Sequence, residues 1–99
     1  MFGSVFTMKA LPGQEDALRS FQREWDTNRR PKIAGFVASY ILASRDRPGE
    51  FIGVAVFDSE ESYRANASAP EQHEMYLKLR ALLAEDPVWN DGDVVAASS

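Results

Sequence analysis

The sequence predicts an α+β fold of ferredoxin-like order, β-α-β-β-α-β, in which a four-stranded antiparallel sheet carries its helices on one face. Three observations predict it. Ile33 to Ser44 and Phe51 to Phe57 read as strands that are apolar at nearly every position, joined by a Pro-Gly turn. Two stretches with helical apolar spacing lie outside that pair, one before it and one after. A further strand pattern stands at each end of the chain.

Taken in order, Phe2 to Ala10 alternates Phe2, Phe6 and Met8 with Val5 and Thr7, the period of two expected of a strand. Leu11-Pro12-Gly13 breaks it. From Gln14 to about Asn28 the apolar residues fall at Leu18, Phe21 and Trp25 with Ala17 beside them, a helical stripe. Glu15 and Asp16 open that helix and Arg29 and Arg30 follow it, complementing its dipole, before Pro31 prevents continuation. Lys32 extends this small basic cluster, which reads as helix-end charge.

In the first of the two apolar strands Ile33, Val37, Ile41 and Ala43 are expected to point one way and Phe36, Ala38, Tyr40 and Leu42 the other. In the second, Phe51, Ala55 and Phe57 oppose Ile52, Val54 and Val56. Arg45 to Glu50, with Pro48-Gly49, makes the two an antiparallel hairpin. Asp58 and Glu61 have capping-box spacing at the start of a short helix. Ser68-Ala69-Pro70-Glu71 starts a longer one bearing Tyr76, Leu79 and Leu83 on one face, so the second helix is split near Ser68. Glu85-Asp86-Pro87 is expected to stop it, and Val88 to Ala97 is the last, weakest strand.

A strand with one covered face should alternate apolar with polar, and these two strands do not. Helices in so short a chain cover one face of the sheet. The other is expected to pack on a second copy, giving a two-fold dimer in which two sheets form a barrel with the helices outside.

The composition narrows the function. Ninety-nine residues are the size of one domain, and 44% hydrophobic with 26% charged residues is ordinary for a soluble globular chain. A net charge of −4 with scattered positive residues argues against nucleic acid and anionic membrane surfaces as partners. There is no cysteine, hence no disulfide, thiolate nucleophile or cysteine metal site, and one histidine alone cannot make a multi-histidine site. No G-x-G-x-x-G fingerprint is present. No bilayer-spanning run or signal-peptide pattern is visible, so a cytoplasmic location is expected.

Four segments carry a resemblance. Ala10-Leu11-Pro12-Gly13-Gln14-Glu15, Ala34 to Tyr40, Val54 to Tyr63, and Ser68 to His73 together resemble the antibiotic biosynthesis monooxygenase domain, over about Phe2 to Val95. The resemblance implies a single domain over residues 1–99, the dimeric α+β barrel, and a cofactor-independent monooxygenase. Such an enzyme oxidises a small aromatic phenol or hydroquinone with molecular oxygen, using no metal, flavin or haem. The same superfamily includes haem-degrading enzymes. The positions matching their asparagine, tryptophan and axial histidine hold Phe6, Asn66 and Tyr76, so that chemistry is disfavoured. A non-catalytic dimer binding a small apolar ligand is the alternative.

The chemistry needs a dry aromatic pocket, a proton acceptor, and donors for a developing oxyanion. His73 is the only side chain whose ordinary titration range lies near neutrality, which makes it the candidate general base. Arg80, two turns along the same helix, is its candidate oxyanion partner. Tyr40 is a catalytic candidate because a buried hydroxyl needs a partner or a cavity. Trp25, Tyr63, Tyr76 and Phe6 are candidate walls for the substrate, each with core packing as its plainer reading. Trp89 is expected to pack under a helix end or at the dimer seam.

Overall fold

The computed structural model describes residues 1–98. They form β1 (Phe2–Lys9), α1 (Glu15–Asn28), β2 (Phe36–Ala43), β3 (Glu50–Phe57), α2 (Glu60–Ala67), α3 (Pro70–Arg80) and β4 (Val88–Asp93), with a 3-10 turn at Arg30–Lys32. The strands lie in the order β2-β3-β1-β4, every neighbour antiparallel. This is the ferredoxin-like order that the sequence predicts, with the split second helix. β3 and β1 occupy the centre, where both edges of each strand are paired, and the strongly apolar β2 lies at an edge.

The β2–β3 hairpin closes through Gly49, whose φ of 89° suits glycine and strains other residues. Ser44 N–H donates to the Glu50 carbonyl at 2.9 Å, and the Ser44 hydroxyl accepts from Arg47 N–H at 3.1 Å. The expected antiparallel pairing is therefore present.

Register sorts the side chains. Phe2, Ser4, Phe6 and Met8 share the helix-covered face with Phe51, Gly53, Ala55 and Phe57, and with Trp89 and Asp91 of β4. On β2 the strict alternation expected from the sequence does not hold. Phe36 pairs with Phe57 and Ala38 with the next residue, Val56, so Val37 is an extra residue in a β-bulge. Phe36 thereby joins Ser39, Ile41 and Ala43 on the covered face. Val37 goes to the outer face with Ala38, Tyr40 and Leu42. The expected partners of Phe36 and of Val37 are both corrected by this one residue.

The helices pack across the inner face. Leu18 of α1 is buried against Met8, Ala10, Phe51 and Leu83, with Phe6, Ile41 and Leu79 alongside. Burying a side chain of that size contributes about 1.5–3 kcal/mol. Several expected boundaries shift. The cap of α2 is Ser59, whose hydroxyl accepts from Ser62 N–H at 3.1 Å, one position after the expected Asp58. Before α3 the N-cap is Ala69 with Pro70 in the first turn, and the Ser68 hydroxyl instead donates back to the Arg64 carbonyl at 2.7 Å. The last helix ends at Arg80, well before Pro87, because Leu82–Ala84 pair with the end of β1. Leu11 N–H donates to the Leu82 carbonyl and Ala84 N–H to the Lys9 carbonyl. Leu83 thus reaches the core from a β-bridge to Ala10 and not from the helix face. The last strand stops at Asp93.

The outer sheet face carries Val5, Val37, Tyr40, Leu42, Ile52 and Val88, all exposed in the single chain. Among the described residues no helix is long and apolar enough to cross a membrane.

Candidate functional site

Between the inner sheet face and the three helices lies a cavity of about 720 Å³. Its floor is sheet: Phe6, Ile41, Phe51, Ala55 and Phe57. Its roof is helical: Phe21 and Trp25 from α1, Tyr63 and Asn66 from α2, and Gln72, His73, Tyr76 and Leu79 from α3. Spacing explains the α3 contribution, since His73, Tyr76 and Leu79 recur every three residues on one face.

The aromatic walls are built from contacts between successive elements. Trp25 packs on Phe36 at 5.6 Å between ring centres, Phe36 on Phe57 at 5.7 Å, Phe57 on Tyr63 at 5.5 Å, and Tyr63 on Phe2 at 5.0 Å. On the β4 side the Phe6 and Trp89 rings stand 4.7 Å apart. Edge-to-face and tilted arrangements of this kind stabilise a cavity wall that polar side chains could not.

Two polar groups interrupt these walls. The first centres on Asp91, whose Oδ1 accepts from the Ser4 hydroxyl at 2.6 Å and from the Tyr63 hydroxyl at 3.4 Å. Burial raises the Tyr63 pKa above its ordinary 10.0; the Ser4 hydroxyl opposes this shift and the Asp91 carboxylate adds to it. The second centres on Arg29, only 9% exposed. Its Nη2 donates to Asn66 Oδ1 at 2.6 Å and its Nε to Gln72 Oε1 at 3.3 Å. Gln72 Oε1 also accepts from the Trp25 indole N–H at 3.3 Å. A hydrogen bond from a charged donor is worth about 1.5–3 kcal/mol, so this group ties α1 to both halves of the split helix.

Of the residues singled out in the sequence, His73, Trp25, Tyr63, Tyr76 and Phe6 all line this cavity. Tyr40 does not. It lies opposite Val54 on the outer face and is 65% exposed, since the bulge at Val37 keeps its parity opposite to that of Phe36. Arg80 does not either. It ends α3, its Nε paired with the Asp86 carboxylate at 2.6 Å and its Nη1 donating to the Leu83 carbonyl at 3.0 Å. Their placement in the pocket is corrected.

Trp89, expected at a helix end or a dimer seam, instead faces the cavity across from Phe6. Asn66, Gln72, Asp91 and the buried Arg29 are polar members that the sequence reading did not assign to the site. Amide side chains leave no periodic signal, and Arg29 has the look of helix-end charge until three helices are seen to meet on it. Among the described residues no group of three or more histidine, cysteine or acidic side chains could hold a metal ion.

No family model matches the sequence, and no curated protein does. Solved structures do. A candidate antibiotic biosynthesis monooxygenase from Chloroflexus aurantiacus is 25% identical, covers 99% of this chain and 96% of its own, and superposes with a TM-score of 0.80. SnoaB, a cofactor-independent oxygenase from Streptomyces nogalater, is 17% identical over 97% of this chain and 94% of its own, with a TM-score of 0.84. A Nitrosomonas europaea protein of unknown function is 21% identical over 99% and 92%, with a TM-score of 0.82. The fold is thus shared over nearly the whole length of these chains, and the resemblance to the antibiotic biosynthesis monooxygenase domain stands.

Proposed function

We propose, from the architecture this chain shares with the antibiotic biosynthesis monooxygenases, that it is a cofactor-independent monooxygenase acting on a small electron-rich phenol or hydroquinone. The observation that carries the proposal is the cavity. Aromatic rings wall about 720 Å³ of space, while the imidazole of His73 lines the same space. A volume of that size suits a ligand of one to a few fused rings.

His73 accepts the phenolic proton, and the resulting phenolate transfers an electron to molecular oxygen. Recombination at a ring carbon bearing hydrogen gives a peroxide. Loss of water from it leaves the quinone, so one oxygen atom enters the ring and the other departs as water. The role of the protein is to hold the ring against Phe6, Trp25 and Tyr76, exclude bulk water, and keep the proton acceptor in place. Donors for the developing anion come from the amides of Asn66 and Gln72, and not from Arg80, whose fork is engaged with Asp86 and Leu83.

The working form in this proposal is a dimer, with the exposed apolar side chains of the outer face covered by a second copy. A patch of that composition is costly in water and fits a self-complementary two-fold contact.

Oxygen uptake with a panel of simple phenols, hydroquinones and anthrone-type substrates tests the reading. The expected result is a rate above autoxidation, label from ¹⁸O₂ in the quinone, and a loss of roughly 10²-fold or more in His73→Gln. Ligand binding without any such rate would instead support a non-catalytic binding protein.

A further inference from the structure

Arg29 is a guanidinium about nine-tenths buried, and among the described residues no carboxylate lies within ion-pair distance of it. Glu71, Glu74, Lys32 and Lys78 share a separate small groove with it on the outer side of the helices. Lys78 there pairs with Glu24 at 3.3 Å. The partners that Arg29 does have are two neutral amide oxygens, of Asn66 and Gln72. Guanidinium has donors only, so each amide must turn its oxygen toward Arg29. The indole N–H of Trp25, another obligate donor, imposes the same orientation on Gln72.

The consequence is directional. Gln72 Oε1 accepts twice and is saturated, and Asn66 Oδ1 is turned to the guanidinium, so the NH₂ groups are the amide ends left free of Arg29, and both residues line the cavity. A buried positive charge stands behind them and polarises both amides toward stronger donation. We infer that Arg29 is a positioning residue that locks the Asn66 and Gln72 amides with their NH₂ donors facing the cavity, making it a site selective for an anionic oxygen, as in a phenolate. This rests on the cavity being the ligand site proposed above. It assigns the charge state in which the ligand is held, and assigns Arg29 a role without contact with the ligand.

The probe is 4-nitrophenol, whose phenol and phenolate differ in absorbance, titrated with the intact protein under nitrogen. Other charged or titratable groups at the cavity are His73, Asp91, Arg19, Tyr63 and Tyr76. The titration is therefore repeated in His73→Gln, removing the group that could itself attract an anion when protonated. The expected result is phenolate bound at least tenfold more tightly than phenol in both proteins. In Asn66→Asp the ion pair to Arg29 preserves packing but replaces the NH₂ donor with an acceptor. That variant, and Gln72→Glu, are expected to lose at least tenfold of the preference with unchanged circular dichroism. Arg29→Met is expected to lose it too. Should that variant fail to fold, the two isosteric variants decide the matter.

Equal binding of the two forms by the wild type overturns the inference. So does a preference that vanishes in His73→Gln or survives both Asn66→Asp and Gln72→Glu. Because nothing is oxidised under nitrogen, absent monooxygenase turnover with intact phenolate preference overturns the proposed reaction alone. Turnover without the preference overturns the role of Arg29 alone.

Discussion

The ring of Phe6 lies directly over the backbone of Gly53, its cross-strand partner, where a Cβ would collide with three ring atoms. Glycine here is needed for a close approach and not for an unusual backbone angle. The bare backbone lets Phe6 lie flat on the sheet while Trp89 packs on its other side, and both rings border the cavity. Gly53→Ala is expected to lift Phe6 into the cavity, destabilise the fold by about 1–3 kcal/mol and weaken binding of aromatic ligands. Thermal unfolding and a ligand titration on the same samples check it, each kcal/mol appearing as ~4–8 °C.

Tyr63 gives a pH-dependent signature. Its hydroxyl titrates higher in the folded chain than in the unfolded one, chiefly because burial disfavours the phenolate. The neutral form is therefore the one that favours folding. Its contribution is full below pH ~10 and is lost as pH rises through the higher folded value. Tyr63→Phe is expected to flatten the alkaline arm of the stability curve and to remove a component above the ordinary phenol range from the ultraviolet tyrosinate titration.

Capping of α2 separates two neighbours. Ser59 holds the helix end through Ser62 N–H. Ser59→Ala is expected to cost about 0.5–2 kcal/mol in denaturant unfolding, and Asp58→Ala distinctly less. The reverse order would restore Asp58 as the cap.

Association is the fourth expectation. Leu42 of β2 pairs with Ile52 of β3, and both side chains are exposed on the outer face. Leu42→Glu is expected to convert the proposed dimer to monomer in sedimentation velocity, and to remove the rise of Tm with protein concentration expected of the wild type.

The sequence made the order of elements legible because β1 alternates, β2 and β3 are apolar runs joined by a Pro-Gly turn, and the helices on either side of that pair keep their own apolar spacing. It also placed five aromatic or imidazole residues that line the cavity, since large rings at helical or strand spacing must point somewhere apolar. It misplaced Tyr40, because a bulge leaves no compositional mark and a period-of-two count cannot see an inserted residue. Arg80 was misread for a different reason. Its helix ends a turn early to let Leu83 bridge to Ala10, so the arginine turns to Asp86 and not along a continuing face. Arg29, Asn66 and Gln72 were illegible as a group, since their contacts span 37 to 43 residues of chain.

Val37 is surplus to the strand that contains it. Cutting one letter from a strand ordinarily turns everything on one side of the cut inside out. Excising Val37 would do the opposite, restoring plain alternation and leaving Phe36 beneath Trp25 and Ile41 beneath the helices. A change of length by one residue at this margin of the sheet is thus expected to leave the interior unrewritten, as a cut within either middle strand would not.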